Sequence, residues 1–176
     1  MNKLEGKTVA ESKTVFTQLI MPNDANPLGN LMGGNLLRWM DIAGGICAGK
    51  HANNNVVTVS VDNVSFKEAI KVGDVITITA QVTRAFNTSL EVFLEVYARS
   101  FPSDEARKSN IAYFTFVALD PVNMKPARVK PVIPVTEEEK KRYEGALRRR
   151  DMRLILAGKM DPKDAKDLKS YFRGED

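Results

Sequence analysis

The middle of the chain contains rows of apolar residues that alternate with polar ones, the pattern of strands with one buried face. The rows are Val57, Val59 and Val61; Ile76, Ile78, Ala80 and Val82; and Leu90, Val92, Leu94 and Val96. Turn-forming residues at 72–74 and 86–89 separate them. Asn110–Asp120 is apolar on both faces, which predicts a strand covered on both sides. With a strand over Thr8–Met21, the pattern predicts five strands.

A helix is predicted between the first strand and the others, from Gly34 to Lys50. It follows a segment, residues 22–32, that is rich in proline, glycine and asparagine and predicts a loop. The apolar residues of the helix cover most of its circumference, which predicts burial. One long helix with antiparallel strands is an α+β pattern. The simplest arrangement is a curved sheet wrapped around a single central helix.

The end of the chain has a different composition. Four of the eight prolines fall in residues 121–135, which predicts an extended connector. The sequence TEEE at 136–139 is a capping box, and pairs of Glu and Lys or Arg four residues apart continue the helix. A short second helix is predicted over residues 161–172. We therefore divide the chain into a domain of residues 1–135 and a charged helical extension of residues 136–176.

The composition, 43% hydrophobic and 27% charged, is typical of a globular protein. No apolar run approaches the roughly 20 residues that span a bilayer, so we expect no membrane segment, and the cytoplasm is the simplest location. One cysteine, Cys47, and one histidine, His51, leave too few ligands for a Cys/His zinc site, and no metal is expected. The net charge of +4 favours anionic partners, but no nucleic-acid-binding motif is present.

Gly33 and Gly34 stand where the predicted helix begins. The first amides of a helix lack intrahelical acceptors, and glycine leaves room for a ligand to approach them. Such amides can bind the oxyanion of a tetrahedral acyl intermediate. A tight turn that binds nothing explains the two glycines equally well.

Asp41 is a carboxylate within the largely apolar helix, about two turns after Gly34. It shares a helical face with Leu37, Gly44, Gly45 and Ala48. The two glycines lower helix stability, which indicates that a backbone or a ligand packs closely there. Asp41 could act as a general base or as a nucleophile, or it could be a solvent-exposed aspartate without a catalytic role.

Two further polar residues are candidates for the site. The side-chain amide of Asn26 can orient water or donate to an oxyanion, although an asparagine before a proline is also common in turns. His51 is predicted at the end of the helix, where a cation or a capping donor is favoured.

These residues lie within motifs that resemble a known family. The sequences MPNDANPLGNLMGGNLLRWMDIAGGICAGKH and VVTVSVDNVSFKEAIKVGDVITITAQVTRAFNTSLEV are similar to those of hotdog-fold acyl-CoA thioesterases, as are AYFTFVALD and TEEEKKRYEGALRRR. The resemblance is to the cytosolic brain-type and bacterial medium- to long-chain acyl-CoA hydrolases and covers residues 10–153. It implies a five-stranded antiparallel sheet around the central helix.

The resemblance also implies a site. Asn26 and Asp41 correspond to the catalytic pair, which in the family acts across a dimer interface. Gly33 and Gly34 correspond to the oxyanion donors, while many relatives have histidine where this chain has Met32. We therefore expect a homodimer, assembled as a trimer of dimers, that hydrolyses fatty acyl-CoA without a cofactor.

The remaining implications concern CoA and the alternatives. Thr88 and Ser89 fall where relatives contact the CoA moiety, and Arg84 is expected to bind a phosphate of CoA. A hotdog hydratase or dehydratase is one alternative, and it would need His51 as its acid or base. A non-catalytic acyl-CoA sensor is another, and it would not need Asp41.

Overall fold

The computed structural model describes residues 5–62, 64–66, 68–103, 105–166 and 168. Strands and helices follow in the order β1 Lys7–Thr8, α1 Val9–Ser12, β2 Thr14–Leu19, α2 Gly33–Ala52, β3 Asn55–Asp62, β4 Val75–Ala85, β5 Ser89–Arg99, β6 Ala106–Leu119, β7 Val132–Ile133 and α3 Glu137–Leu156. Single 3₁₀ turns lie at Pro22–Asp24 and Pro162–Asp164.

The main sheet has five antiparallel strands in the order β2-β4-β5-β6-β3, and α2 packs against all five. This confirms the predicted α+β architecture of a sheet around one central helix. The alternation in β4 and β5 explains it, because Ile76, Ile78, Ala80, Leu94 and Val96 are all fully buried. Apolar side chains on one face of each strand are therefore removed from water together.

The glycine face of α2 is covered by an aromatic side chain. A Cβ added at Gly44 would lie 2.9 Å from Cζ of Phe116, a buried residue of β6. At Gly45 the same ring would be 3.8 Å away. The prediction that a backbone or a ligand packs against this face is therefore wrong for Gly44, where an aromatic ring makes the close approach.

The beginning of the chain differs from the single strand predicted over Thr8–Met21. A one-turn helix, α1, interrupts it, and the strand of the main sheet starts at Thr14. The Glu11 carboxylate accepts hydrogen bonds from the backbone N–H of Thr8, at 2.6 Å, and from its hydroxyl, at 2.8 Å. This local capping competes with the extended conformation that the β-branched residues favour.

The connector between β6 and α3 is extended, as predicted. Within it, β7 pairs in parallel with β1, so Lys7 lies beside Val132 and Thr8 beside Ile133. The central helix is also longer than the predicted Gly34–Lys50 and ends at Ala52.

The chain divides into two compact units, residues 1–133 and 134–176. In the second unit α3 starts with the predicted capping box: the Thr136 hydroxyl accepts from the amide of Glu139 at 3.2 Å, and the Glu139 carboxylate accepts from the amide of Thr136 at 3.1 Å. Of the helix predicted over 161–172, the structure has a 3₁₀ turn at Pro162–Asp164, and residues from 169 lie outside the described part. Among the described helices, none is long and apolar enough to cross a membrane.

Candidate active site

The N-terminal turn of α2 has free amides. The residue before the helix, Met32, has an extended backbone and provides no side-chain cap. Its carbonyl accepts from the amides of Asn35, at 3.0 Å, and Leu36, at 3.2 Å. Within the described residues, the amides of Gly33 and Gly34 donate to no acceptor. They are therefore available to an anion or a carbonyl oxygen, where the helix dipole favours negative charge.

The two glycines differ in their surroundings. A Cβ added at Gly34 would meet no atom within 4 Å, so the approach to its amide is open. At Gly33 the Cβ would lie 3.1 Å from Cζ of Phe66, whose ring lies over this residue. A ligand therefore finds open space at Gly34, whereas the ring of Phe66 covers Gly33.

Asn26 is held in a tight loop by its own side chain. Its Oδ1 accepts from the amides of Leu28, at 2.9 Å, and Asn30, at 3.2 Å. Gly29 completes the loop with φ +74°, a conformation that favours glycine. Because the backbone amides can only donate, they fix Oδ1 towards the loop and direct Nδ2 away from it. Nδ2 has no partner among the described residues, so Asn26 can donate but not accept.

Asp41 is exposed on α2 and bound to one residue of the sheet. Its Oδ1 accepts a hydrogen bond of 2.6 Å from the hydroxyl of Thr58 on β3. Oδ1 is thereby held in place, while Oδ2 has no hydrogen-bond partner in the described part of the chain. A carboxylate held in this way can accept a proton from water or attack a carbonyl carbon.

Sequence analysis missed Thr58, because the alternation in β3 placed it on the face opposite Val57 and Val59. In the structure, Thr58 pairs with Phe116, a residue that faces α2, and the register shifts between Thr58 and Ser60. The side chains of Val57 and Val59 are exposed instead, with 43% of Val57 and 55% of Val59 accessible. Nothing in the local sequence shows that the polar face of β3 is the one that meets α2.

The structure brings only some of the predicted residues together in one chain. Gly33, Gly34 and Asp41 lie on the same helix, with the carboxylate about 10 Å along the axis from the glycines. Among the described hydrogen bonds, none joins Asn26 to Asp41.

The residues predicted to contact CoA lie elsewhere. Arg84 is at the end of β4, and Thr88 and Ser89 are in the hairpin that follows. The carbonyl of Asn87, which precedes Thr88, accepts a hydrogen bond from the amide of Val129. The residue after Val129 is Lys130, and its carbonyl accepts a hydrogen bond from His51 in the last turn of α2. Within one chain, this hairpin is therefore at the opposite end of α2 from Gly33.

His51 is buried and takes a structural role. Its Nε2 lies 3.0 Å from the carbonyl of Lys130 and must donate to it, which leaves Nδ1 to accept from the Ser12 hydroxyl at 3.3 Å. Burial lowers the pKa of His51, so of the cation or capping donor expected at the helix end, the ring is a neutral donor. A hydratase or dehydratase acid-base role would need a ring that reaches the substrate, and this one does not.

Comparison with known proteins gives the family. A model of the thioesterase superfamily matches residues 28–100. An acetyl-CoA thioesterase of Mus musculus is 38% identical over 146 residues, which are 83% of this chain and 26% of that protein. A cytosolic acyl-CoA thioester hydrolase of Rattus norvegicus is 36% identical over 163 residues, 90% of this chain and 42% of that protein. The chain thus spans a quarter to less than half the length of these relatives.

Solved structures match over nearly their whole length. A hexameric acyl-CoA thioesterase, solved in the apo form, has a TM-score of 0.84 and 38% identity over 88% of this chain and 98% of its own. This chain belongs to the hotdog acyl-CoA thioesterase family. Within the family, an acyl-CoA hydrolase of Staphylococcus aureus has a TM-score of 0.81 and 32% identity over 95% of this chain and 98% of its own.

The Staphylococcus aureus hydrolase was solved with butyryl-CoA, CoA and CoA disulfide. It was also solved as variants in which an asparagine, an aspartate or a threonine is replaced by alanine. These are the three residue types that the present structure places at Asn26, Asp41 and Thr58.

Proposed function

We propose that this protein hydrolyses fatty acyl-CoA thioesters to the free fatty acid and CoA. The observation that carries the proposal is the hydrogen bond of 2.6 Å from Thr58 to Asp41, on a helix whose first amides are free. Family membership and the ligands of the Staphylococcus aureus hydrolase support an acyl-CoA substrate.

The spacing of the three polar residues supports their assignment. In the Staphylococcus aureus hydrolase, the replaced aspartate follows the replaced asparagine by 15 positions, and the threonine follows the aspartate by 17. Asn26, Asp41 and Thr58 have the same separations. We infer that they are the corresponding residues of this chain.

The proposed chemistry uses Asp41 with its Oδ2 towards the substrate. As a general base, it takes a proton from a water molecule whose oxygen attacks the thioester carbonyl carbon. The carbon–sulfur bond then breaks, the CoA sulfur leaves with the bonding electrons, and the proton passes from Asp41 to that sulfur. As a nucleophile, the Asp41 carboxylate would instead attack the carbonyl carbon and displace CoA as its thiolate, and water would then hydrolyse the resulting acyl anhydride to the fatty acid and the free carboxylate. In both cases Thr58 is a positioning residue for the carboxylate.

The negative charge that develops on the carbonyl oxygen needs donors. The free amides of Gly33 and Gly34 lie at the positive end of the α2 dipole and are suited to this oxygen. Asn26, fixed as a donor through Nδ2, would bind the attacking water or the same oxygen. The reaction uses these groups alone, and we propose no metal or prosthetic group.

We further propose a homodimer, assembled as a trimer of dimers, in which Asn26 and Asp41 of one site come from different subunits. The hexameric relative supports the assembly. So do the exposed apolar side chains of Val57, Val59 and Val61 on the edge strand β3 and of Ile42 and Ile46 on α2. The name of the rat relative supports a location in the cytoplasm.

The direct test is hydrolysis. Purified protein is incubated with acyl-CoA esters from C4 to C18, including palmitoyl-CoA, and free thiol is followed with a colorimetric reagent. We expect thiol release from at least part of the series. Release no faster than the spontaneous rate for every ester would overturn the proposal and favour an acyl-CoA sensor.

The shared site has its own test. Asn26→Ala and Asp41→Ala proteins are each inactive in our proposal, but a mixed dimer contains one site with both native residues. Mixing the two proteins under conditions of confirmed subunit exchange should therefore restore part of the activity. If exchange is complete and no activity returns, both residues belong to one chain.

A further inference from the structure

A cavity of about 360 Å³ lies beside the first turn of α2. Its apolar lining comes from Leu31, Leu36, Phe66 and Ile70, and Gly33 forms part of its wall. The volume is at the lower end of the range found for small-molecule sites. A ligand whose carbonyl oxygen met the Gly33 amide would thus have this cavity next to it.

Two of the polar side chains at the cavity are already bonded. Asn110, which is buried, donates from Nδ2 to the carbonyl of Ser65 and accepts through Oδ1 from the Ser109 hydroxyl at 2.5 Å. Glu68 lies 3.4 Å from Nε of Arg107. With these two groups bonded, an apolar chain can enter along Leu31, Leu36, Phe66 and Ile70 without breaking their hydrogen bonds.

Phe66 is the aromatic residue of the cavity that packs against Gly33. Its ring atoms Cζ and Cε1 lie 3.1 Å and 3.2 Å from the position of a Cβ at Gly33, so a larger residue there would press on the ring. The Phe66 side chain is 56% exposed and lines the cavity.

The segment that carries Phe66 is anchored on both sides. Before it, Ser65 is bound by Asn110. After it, the Arg107 guanidinium donates to the Ala69 carbonyl at 3.2 Å and to the Asp74 carboxylate at 2.6 Å. These hydrogen bonds hold the backbone on either side of Phe66, whose ring takes up part of the space beside Gly33.

We propose that this cavity receives the acyl chain of the substrate and that Phe66 determines which chain lengths are preferred. The inference rests on the proposed thioesterase function. A thioester whose carbonyl oxygen is bound at Gly33 has its acyl chain at the mouth of the cavity. Each methylene that enters should raise kcat/KM about fourfold, the fold-change for the ~0.8 kcal/mol of burying one methylene. The increase should end at the chain length that fills the cavity.

The test compares chain-length profiles. kcat/KM is measured for C4 to C18 acyl-CoA esters, below their micelle concentrations, with the native protein, Phe66→Ala and Phe66→Trp. Removing the ring should move the end of the increase to longer chains, and kcat/KM for the longest ester relative to the shortest should rise about tenfold or more. In Phe66→Trp, the larger indole should move the end of the increase in kcat/KM to shorter chains.

A matched control is Phe101→Ala, which removes another exposed aromatic ring, 70% accessible against 56% for Phe66, that does not line this cavity. This variant should keep the native profile. If Phe66→Ala does not fold, Phe66→Leu replaces it and should give a smaller shift in the same direction. A native profile in the folded Phe66 variants overturns the inference, whereas the absence of hydrolysis by the native protein overturns the proposed function itself.

Discussion

The polar groups at the two ends of α2 differ in whether they have hydrogen-bond partners. At the C-terminal end, Lys7 donates to the carbonyl of Lys50 and, at 2.8 Å, to Oδ1 of Asn53, the left-handed residue that closes the helix. The buried His51 has a partner on each ring nitrogen. At the N-terminal end, the amides of Gly33 and Gly34 have no acceptor among the described residues.

This contrast separates stability from function within a single helix. Buried polar groups normally have hydrogen-bond partners, and a helix end without a cap loses about 1 kcal/mol. The C-terminal end follows this rule, whereas the N-terminal end gives up that stability and keeps donors free for a substrate. We therefore expect substitutions at the C-terminal end of α2 to change the free energy of unfolding and those at its N-terminal end to change turnover.

Asp41→Ala should have the largest effect. Loss of the base or nucleophile should lower kcat/KM by about 10³-fold, within the range for general-base catalysis. The melting temperature should stay the same or rise, because the exposed carboxylate has a single hydrogen bond to lose. Steady-state kinetics with palmitoyl-CoA and thermal unfolding measure the two quantities. Retained turnover would remove Asp41 from the mechanism.

His51→Ala should have the reverse profile. It leaves the Lys130 carbonyl and the Ser12 hydroxyl without their partner and creates a cavity, which together should cost about 3 kcal/mol of unfolding free energy. Below the unfolding transition, kcat per folded molecule should remain within about twofold of the native value. Urea unfolding and kinetics on the same preparation test this. A loss of kcat without a loss of stability would place His51 in the chemistry.

Gly44→Ala should show an intermediate effect, since its Cβ would lie 2.9 Å from the buried ring of Phe116. Such overpacking typically costs about 1–3 kcal/mol. The matched variant Gly45→Ala places its Cβ 3.8 Å from the same ring, an ordinary contact, and should gain up to about 1 kcal/mol from helix propensity. Thermal unfolding of the pair gives the difference. Equal stabilities would mean that the ring does not determine the need for glycine.

The fold was predictable where hydrophobic alternation coincides with burial. The apolar rows of β4 and β5 lie in the core, and the end of the predicted helix is only two residues from that of α2. The break in the first strand was not predictable from periodicity. It depends on the capping of Thr8 by Glu11 and on the parallel pairing of β1 with β7, 125 residues further along the chain.

The candidate site was predictable only in part, for a related reason. Asn26, Gly33, Gly34 and Asp41 lie in one short stretch of sequence, so their motif could be recognised. Thr58 reaches Asp41 from β3, and the alternation of β3 does not reveal which of its faces meets α2. Which residue of a strand meets a helix depends on packing that single-sequence patterns do not contain.

The pH dependence of stability should also reflect the C-terminal end of α2. Burial lowers the pKa of His51 below its ordinary value of 6.5, against the weaker opposing effects of the hydrogen bond to the Lys130 carbonyl and of Glu11. The unfolded chain therefore binds a proton that the folded protein does not, and stability is complete above pH 6.5 and falls as the pH decreases below it. The loss should approach 1.4 kcal/mol per pH unit at most. The loss of stability on protonation of Asp74, whose pKa is lowered by Ser100, Lys71 and Arg107, comes at lower pH.

Urea unfolding of the native protein and of His51→Gln between pH 7.5 and 5.5 isolates this effect. The variant lacks the titrating ring, so its stability should change less over this interval. Parallel curves for the two proteins would assign the pH dependence to other groups.

Cys47 should give the smallest effect, because we expect its thiol not to react with a thiol reagent in the native state. Burial raises the pKa of its thiol to about 12, and Sγ donates to the carbonyl of Ala80 at 3.4 Å. A thiol reagent reacts with the thiolate, which is scarce here and inaccessible. The native protein should therefore show no titratable thiol within the time of the hydrolysis assay and one after unfolding in urea. A thiol titrated in the native protein would mean that α2 opens at this position, and the contrast between its closed and open ends would then be one of degree.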